Sequence, residues 1–171
     1  LLLDNLLRVD IHNRANKLHL NMEAPRAVFL IQTKIDSNND CMEMLRSLYS
    51  AQSGDYVTSV DANSIVLIKS LEQDSNTSAL ESVASTIVDM MNSEAMMNVK
   101  VSFGTIVKDL ISVSKSYKEA KMALEVGKIF EGEKHIVNYE KLGIGRLIYQ
   151  LPLPLCRMFI KEVLHGLTMD D

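Results

Sequence analysis

The chain has 171 residues, of which 47% are apolar and 23% are charged, and its net charge at pH 7 is −4. These values are typical of one globular domain with an appendage, and they disfavour nucleic-acid binding by this piece alone because no basic excess attracts phosphate. No apolar run approaches the roughly 18 residues of a membrane-spanning helix, so we expect no membrane contact.

The N-terminal part is predicted to be a helical segment. Residues 1–22 read as helix, with Asp10 as a candidate cap, and Pro25 ends the pattern. The chain starts without methionine and ends without a helix stop. We therefore expect it to be a piece of a longer protein.

A strand, a helix and a hairpin are predicted next. The continuous apolar run 27–31 is typical of a strand that is covered on both faces. Asp40 and Glu43 have the spacing of a capping box at the start of a helix. Residues 56–68 read as a β-hairpin whose second strand is the more apolar and so the more buried. The turn between its strands is Asp61-Ala62-Asn63-Ser64.

A second helix and strand follow the hairpin. Ser78 and Glu81 repeat the capping-box spacing before the cleanest amphipathic pattern of the chain. Methionines cluster near the end of this helix, and we interpret them as core filling rather than as an adaptable binding surface. Residues 99–107 are predicted to form a strand. Gly104 inside that strand indicates a bulge or the close approach of another backbone.

The last third of the chain is predicted to contain a long helix and a short strand. Asp109 is a candidate cap for the long helix, and Gly132 lies just beyond its end. A short strand is predicted from 136 to 139. The core face of the long helix is predicted to consist of Leu110, Val113, Tyr117, Ala120 and Leu124.

The C-terminal part is predicted to be interrupted and then helical. Gly143-x-Gly145 is interpreted as a flexible joint rather than a phosphate loop, because a third glycine and the strand-to-helix context are missing. Pro152 and Pro154 break the pattern again, and residues 155–164 close the chain as a helix.

The order of predicted elements indicates the fold class. The six elements from the first strand to the fourth predict a ferredoxin-like split βαβ unit, with helices on one face of an antiparallel sheet. A further helix and strand, with helices at both chain ends, complete an α+β architecture. We divide the chain into an N-terminal helical segment (1–25), a main domain (26–143) and a C-terminal helical segment (144–171).

Three motifs in this order resemble a known family. Val99-Lys100-Val101-Ser102-Phe103-Gly104 resembles the Ser-x-Gly strand of GGDEF-type nucleotide-cyclase domains, and residues 116–124 resemble the helix that follows it. Tyr139-Glu140-Lys141-Leu142-Gly143 is similar to a strand end in the GGDEF-like domains of PucR/CdaR-type bacterial transcription regulators, which control purine catabolism and sugar diacid utilisation. The resemblance covers about residues 4–164 and implies a nucleotide-cyclase-like fold.

The hairpin departs from the catalytic motif of that family. A cyclase brings two adjacent glycines close to GTP and uses acidic side chains to hold Mg²⁺ at the phosphates. Where the resemblance places a metal-binding aspartate at the end of the first strand, this chain has Gln32, Thr33 and Lys34, and Asp36 is interpreted as a loop or cap residue. The five motif places of the hairpin hold Asp61, Ala62, Asn63, Ser64 and Ile65. We therefore predict a degenerate domain that is no enzyme and has no catalytic residues, cofactor or metal.

The cysteines and histidines give no metal-binding pattern. Cys41 and Cys156 lie far apart and are predicted to be buried free thiols, which fits a reducing cytoplasm. A shared helix face could bring two histidines together, but no further ligands accompany them. All four histidines are interpreted as exposed residues without a metal: His12, His19, His135 and His165.

The resemblance implies a regulatory function. We predict a non-catalytic regulatory and dimerisation domain of a cytoplasmic PucR/CdaR-like transcription regulator. It would link an N-terminal effector-sensing region to a helix-turn-helix beyond this chain, and DNA would be bound only through that part. The terminal helices, 1–22 and 155–164, are expected to carry apolar surface for a homodimer. The small-molecule effector is unknown.

A second hypothesis is a sensor that keeps the cyclase pocket without its chemistry. Such a domain would bind a nucleotide or a small acid without turning it over. The missing glycines count against a close approach of phosphate groups to the hairpin.

Overall fold

The fold is that of a computed structural model, which describes residues 1–2, 7–33, 37–130, 132 and 134–163. Short 3-10 helices occupy Ala51–Ser53 and Tyr139–Leu142. In chain order the other elements are α1 (Arg8–Lys17), β1 (Arg26–Gln32), α2 (Asn38–Leu48), β2 (Tyr56–Asp61), β3 (Ser64–Ser70), α3 (Thr77–Ala95), β4 (Lys100–Phe103), α4 (Val113–Phe130), β5 (Ile136–Asn138), α5 (Gly145–Gln150) and α6 (Leu153–Val163).

Within the described residues, five strands form one sheet in the order β2-β3-β1-β4-β5. The first three pairings are antiparallel, whereas β5 joins β4 in parallel. The α+β class and the split βαβ order are confirmed, and the fifth strand makes the sheet mixed. The reason is the connection, because α4 crosses over between β4 and β5 and returns the chain in the same direction.

Helices cover both faces of the sheet. On one face, α2 and α3 pack as the split βαβ unit predicts, and the rings of Phe29 and Phe103 lie 5.4 Å apart between centroids. On the other face, α1 and α4 pack against alternate strand residues, including Val28 and Leu30. Residues 26–31 are all buried, which confirms a strand covered on both faces.

The long helix and the hairpin match their predicted burial. All five residues predicted for the core face of the long helix are buried, although Leu110 precedes α4. In the hairpin, β3 is buried from Ser64 to Ile68, whereas β2 is half-buried at its start and exposed from Thr58 onward. The amphipathic patterns therefore give the correct inward faces of both elements.

Gly104 marks the close backbone approach that the sequence indicates. A Cβ added there would lie far inside the contact distance of the Ser116 carbonyl oxygen of α4. Strand β4 ends just before this glycine, whose N–H donates to the Val28 carbonyl at 3.1 Å. The predicted strand 99–107 is therefore too long, although Val107 returns to form an isolated bridge with Arg26.

The predicted helix starts are wrong in detail. Helix α1 begins at Arg8 and ends at Lys17, so it is shorter than the predicted 1–22, of which 3–6 lie outside the described residues. Asp10 lies inside its first turn, and the N-cap position is Leu7. The chain leaves the helix because Leu20 N–H bonds to the Ala15 carbonyl beyond the last regular turn.

The two predicted capping boxes are also displaced. Helix α2 begins at Asn38, so Asp40 lies within its first turn and makes no cap bond. Helix α3 is capped by Asn76, whose side-chain oxygen accepts from Ala79 N at 3.2 Å. Because the backbone is already extended at Asn76, the helix starts before Ser78 can act as the cap.

Asp109 orders the turn that precedes α4 rather than the helix end itself. Its carboxylate accepts from the backbone N–H of Ser112 at 2.7 Å and from its hydroxyl at 3.1 Å. The helix then begins at Val113. The predicted cap therefore lies one turn too early.

The two C-terminal helices differ in their packing, because α5 contacts α4 through the buried Gly145, whereas α6 adds no residue to the core. Helix α6 begins at Leu153 rather than at residue 155, because Pro154 fits the first turn of a helix instead of breaking it. Residue 164 lies outside the described residues. No described residue of α6 is buried. None of the described helices has both the length and the apolar character needed to cross a membrane.

The two cysteines differ in environment. Cys41 on α2 is fully buried, as predicted, whereas Cys156 on α6 is partly exposed, so that prediction is wrong. Cys156 is partly exposed because no packed layer covers α6. Burial raises the pKa of the Cys41 thiol to about 12.

We predict that only one thiol reacts quickly with a thiol reagent at pH 8. Cys156 is expected to react within the first phase, whereas Cys41 reacts only when the protein opens. Timed labelling with mass spectrometry measures this, and Cys156→Ser is the control that should remove the fast phase. Two fast thiols would contradict the burial of Cys41.

The raised pKa of Cys41 predicts a loss of stability at high pH. The folded pKa of Cys41 lies above its ordinary value of 9.0, so the unfolded chain loses this proton first. The contribution of the protonated Cys41 thiol to the free energy of unfolding is therefore complete below about pH 9 and is lost towards pH 12. Urea unfolding of Cys41→Ala should lack this component of the pH dependence.

Candidate functional site

The places that a cyclase uses for catalysis come together at one end of the sheet. The end of β1 lies against the turn between β2 and β3, where Thr33 N–H donates to the Asn63 carbonyl at 2.9 Å. The start of α2 lies beside both. Of the strand-end residues considered in the sequence, Lys34 and Asp36 lie outside the described residues.

Neutral side chains bond to one another at this end. The Thr33 hydroxyl donates to the Asn38 side-chain oxygen at 3.3 Å, and the Asn38 amide donates to the Ser59 hydroxyl at 3.4 Å. The Ser59 hydroxyl in turn donates to the Asp61 carbonyl at 2.7 Å. Thr33 and Asn38 are buried. We call Thr33, Asn38 and Ser59 the neutral triad.

The hairpin tip is closed by its own aspartate. The Asp61 carboxylate accepts from the backbone N–H of Asn63 at 3.0 Å, which is an Asx turn. Ser64 is buried, whereas Ala62 is exposed. Neither Ala62 nor Asn63 has a positive φ, so this turn has no position that requires glycine. Asp61 therefore orders the backbone of the turn.

Two members of the neutral triad were missed by sequence reasoning. The sequence predicts no functional role for Asn38 or Ser59. The position of Asn38 could have indicated its role, since it follows the first strand closely and the next helix starts there, beside the end of the sheet. Nothing in the local pattern marks Ser59, because its partner is 21 residues away in sequence.

A metal site is not formed by the described residues. They contain no group of three or more histidine, cysteine, aspartate or glutamate residues that could hold a metal ion. His12 and His19 are exposed, as predicted, whereas His135 is partly buried with its Nδ1 3.2 Å from the Val99 carbonyl oxygen. His165 lies outside the described residues.

The motif residues of β4 and α4 form an internal joint. The Ser102 hydroxyl donates to the Ala120 carbonyl at 2.8 Å. The Ser116 hydroxyl donates to the Thr105 carbonyl at 2.8 Å and accepts from Val28 N at 3.0 Å. The Glu119 carboxylate accepts from Thr105 N at 2.8 Å. These residues therefore attach the helix to the sheet.

A large groove lies on the α1 and α4 face, beside the edge strand β2. Its volume is about 890 Å³. A smaller cavity of about 130 Å³ lies next to it under the hairpin and shares Val60, Asp61, Tyr117 and Lys121. The groove is lined by Leu1, Leu2, Leu18, Leu20, Tyr56, Thr58, Ser59, Val60, Asp61, Ile68, Leu110, Tyr117 and Lys121.

Comparison with known proteins supports the family that the motifs resemble. No curated protein matches the chain. A family model described as a GGDEF-like domain matches residues 4–126, which include the strand end of β1, the hairpin and the joint between β4 and α4. Since this match covers well over half of the sequence, the chain belongs to the GGDEF-like domain family.

Proposed function

We propose that this domain is a non-catalytic regulatory domain of a cytoplasmic PucR/CdaR-like transcription regulator. The observation that carries the proposal is the neutral triad at the place where a cyclase holds Mg²⁺. In this proposal the domain links an effector-sensing region to a DNA-binding helix-turn-helix outside this chain. It forms a homodimer and contacts DNA only through that other part.

The neutral triad counts against a magnesium site. Mg²⁺ is held by carboxylates together with substrate phosphates, in near-ideal octahedral geometry. Thr33 and Asn38 offer no negative charge, and their polar atoms already bond to each other. A metal would have to break these bonds and replace them with weaker neutral ligands. The Asp61 carboxylate is engaged by the hairpin backbone.

We expect the purified chain to release no pyrophosphate from GTP in the presence of Mg²⁺. Pyrophosphate release and cyclic di-GMP formation measure this, with an active diguanylate cyclase as the positive control. The matched variant is Asp61→Asn, which removes the carboxylate of the hairpin tip. Release that disappears in this variant would contradict the proposal, because it would locate turnover at the hairpin.

The apolar surface of α5 and α6 supports the homodimer. Eleven large apolar side chains from residue 144 to residue 163 are 42–71% exposed. An isolated helix as short as α6 is marginal in water, so its apolar face needs a partner. The exposed set is Ile144, Leu147, Ile148, Tyr149, Leu151, Leu153, Leu155, Met158, Phe159, Ile160 and Val163. We call it the α5–α6 surface.

A second copy of the chain is the partner that fits this surface. A stable interface buries about 800 Å² on each partner, and eleven half-exposed apolar side chains supply on the order of that area. A crease of about 440 Å³ between α5 and α6 is lined mainly by apolar residues. Helix α6 carries only Arg157 and Lys161 as cations, unlike the strongly basic face of a membrane-surface helix.

The sensor hypothesis has one observation in its favour, which is the groove beside β2. Its volume of about 890 Å³ lies in the range of ligand pockets. Calorimetry with GTP, cyclic di-GMP and sugar diacids separates the two functions. A micromolar response to GTP would favour the nucleotide sensor, whereas no response to GTP agrees with the regulatory domain proposed above.

A further inference from the structure

The groove beside β2 has an apolar floor and one polar end. Leucines on either side of α1 in the chain, together with Ile68 and Leu110, form its floor. Tyr56, Thr58 and Val60 alternate along β2 and line its wall. Ligand pockets are usually apolar with a few convergent polar groups, which is the arrangement found here.

Tyr117 has a polar group without a partner at that end. Its side chain is only 7% exposed, and it lines both the groove and the smaller cavity. Its hydroxyl makes no hydrogen bond within the described part of the chain, and it is not fully buried, so it is open to the groove. Burial and the Asp61 carboxylate raise the pKa of Tyr117, so the hydroxyl remains protonated and can donate.

Lys121 lies one turn further along α4 and faces the same cavities. Residues four apart lie on one face of a helix, and both side chains line the groove and the smaller cavity. Lys121 is exposed and has no ion pair with any described residue. Asp61 and Lys121 are the charged groups among the described residues that line the groove.

The two donors match a single carboxylate. An ammonium group and a phenolic hydroxyl both donate hydrogen bonds, whereas the Asp61 carboxylate already accepts from the Asn63 backbone. One cation beside an aspartate disfavours a polyanion such as a nucleoside triphosphate. The apolar floor requires that the rest of the ligand carry few polar groups.

We propose that this groove binds a small amphipathic monocarboxylate, with its carboxylate at Tyr117 and Lys121 and its apolar part against Ile68 and Leu110. The proposal adds an effector site to the regulatory function and does not depend on the absence of catalysis. The ligand lies on the face of the sheet covered by α4; of the neutral triad, Ser59 also lines the groove, whereas Thr33 and Asn38 do not.

Calorimetric titration of the full chain with octanoate tests the proposal. Octanedioate and octylamine are the matched probes, since they have the same chain length with a second carboxylate or with the opposite charge. We expect octanoate to bind at least about tenfold more tightly than either. No binding of octanoate at millimolar concentration, or equal binding of octylamine or octanedioate, would overturn the proposal.

Two conservative variants locate the bound carboxylate. Tyr117→Phe keeps the ring, Lys121→Gln keeps most of the aliphatic chain, and each is expected to weaken octanoate binding about tenfold. Neither removes a hydrogen bond within the described residues, so circular dichroism should show an unchanged fold. The control is Lys108→Gln, an exposed lysine outside the groove. An equal loss in the control would overturn the proposed site.

Discussion

Gly104→Ala is expected to lower the free energy of unfolding by about 3 kcal/mol or more. The added methyl group would meet the Ser116 backbone carbonyl, which belongs to α4 and cannot rotate away as a side chain could. Moving α4 outward would also strain the Ser116 hydroxyl bonds to Thr105 and Val28. Urea unfolding followed by circular dichroism measures the change.

The matched control for this variant is Gly132→Ala. Gly132 has a φ of +52° and no atom within 4 Å of an added Cβ. Its replacement should lower stability by only about 1 kcal/mol, through backbone conformation alone. Equal losses in the two variants would show that α4 does not approach β4 as closely as the structure indicates.

Phe159→Asp is expected to weaken self-association of the chain strongly. Phe159 is 62% exposed on α6 and lines the crease between α5 and α6. A buried aromatic residue at the centre of an interface contributes about 2 kcal/mol or more, so the dimer dissociation constant should rise at least about 30-fold. Sedimentation equilibrium of the wild-type chain and the variant measures this.

Met96→Asp is the control for the interface variant. Met96 is 93% exposed at the end of α3 and lies outside the α5–α6 surface. It adds the same charge to another apolar position, and aspartate tolerates the left-handed φ of 51° found there. We expect this variant to remain dimeric. A wild-type chain that is monomeric at high concentration would contradict the homodimer directly.

The strand and helix motif that carries the resemblance has a structural explanation in this chain. Ser102, Ser116 and Glu119 satisfy backbone groups at the joint between β4 and α4, and Gly104 lets the two backbones meet. Such residues are needed by the fold whether or not the domain is catalytic. Their presence therefore indicates the fold and says nothing about activity.

The site was predicted in part from the sequence. The hairpin, its turn and the lack of glycines are local features, so the sequence alone located them. The bonds of the neutral triad join residues from β1, α2 and β2, and Asn38 meets Ser59 across 21 positions. Sequence reasoning finds the individual polar residues, but it cannot find which of them become partners.

The groove also shows the difference between what local sequence predicts and what the tertiary structure decides. Tyr117 was predicted as a core residue of α4, and its burial agrees with this prediction. The helical period predicts that its side chain points inward, but it does not predict whether the hydroxyl finds a hydrogen-bond partner. That depends on where β2 and α1 end, because they leave a space in front of it rather than a partner.

The sequence by itself determined the order of the elements, their inward faces and the residues of the hairpin turn, which has no glycine. These follow from hydrophobic periodicity and residue type, which act over a few neighbouring positions. Only the tertiary structure decided the parallel fifth strand, the helix starts, the neutral triad and the groove. Each of these depends on contacts between segments distant in the chain, and such contacts have no signature in local sequence.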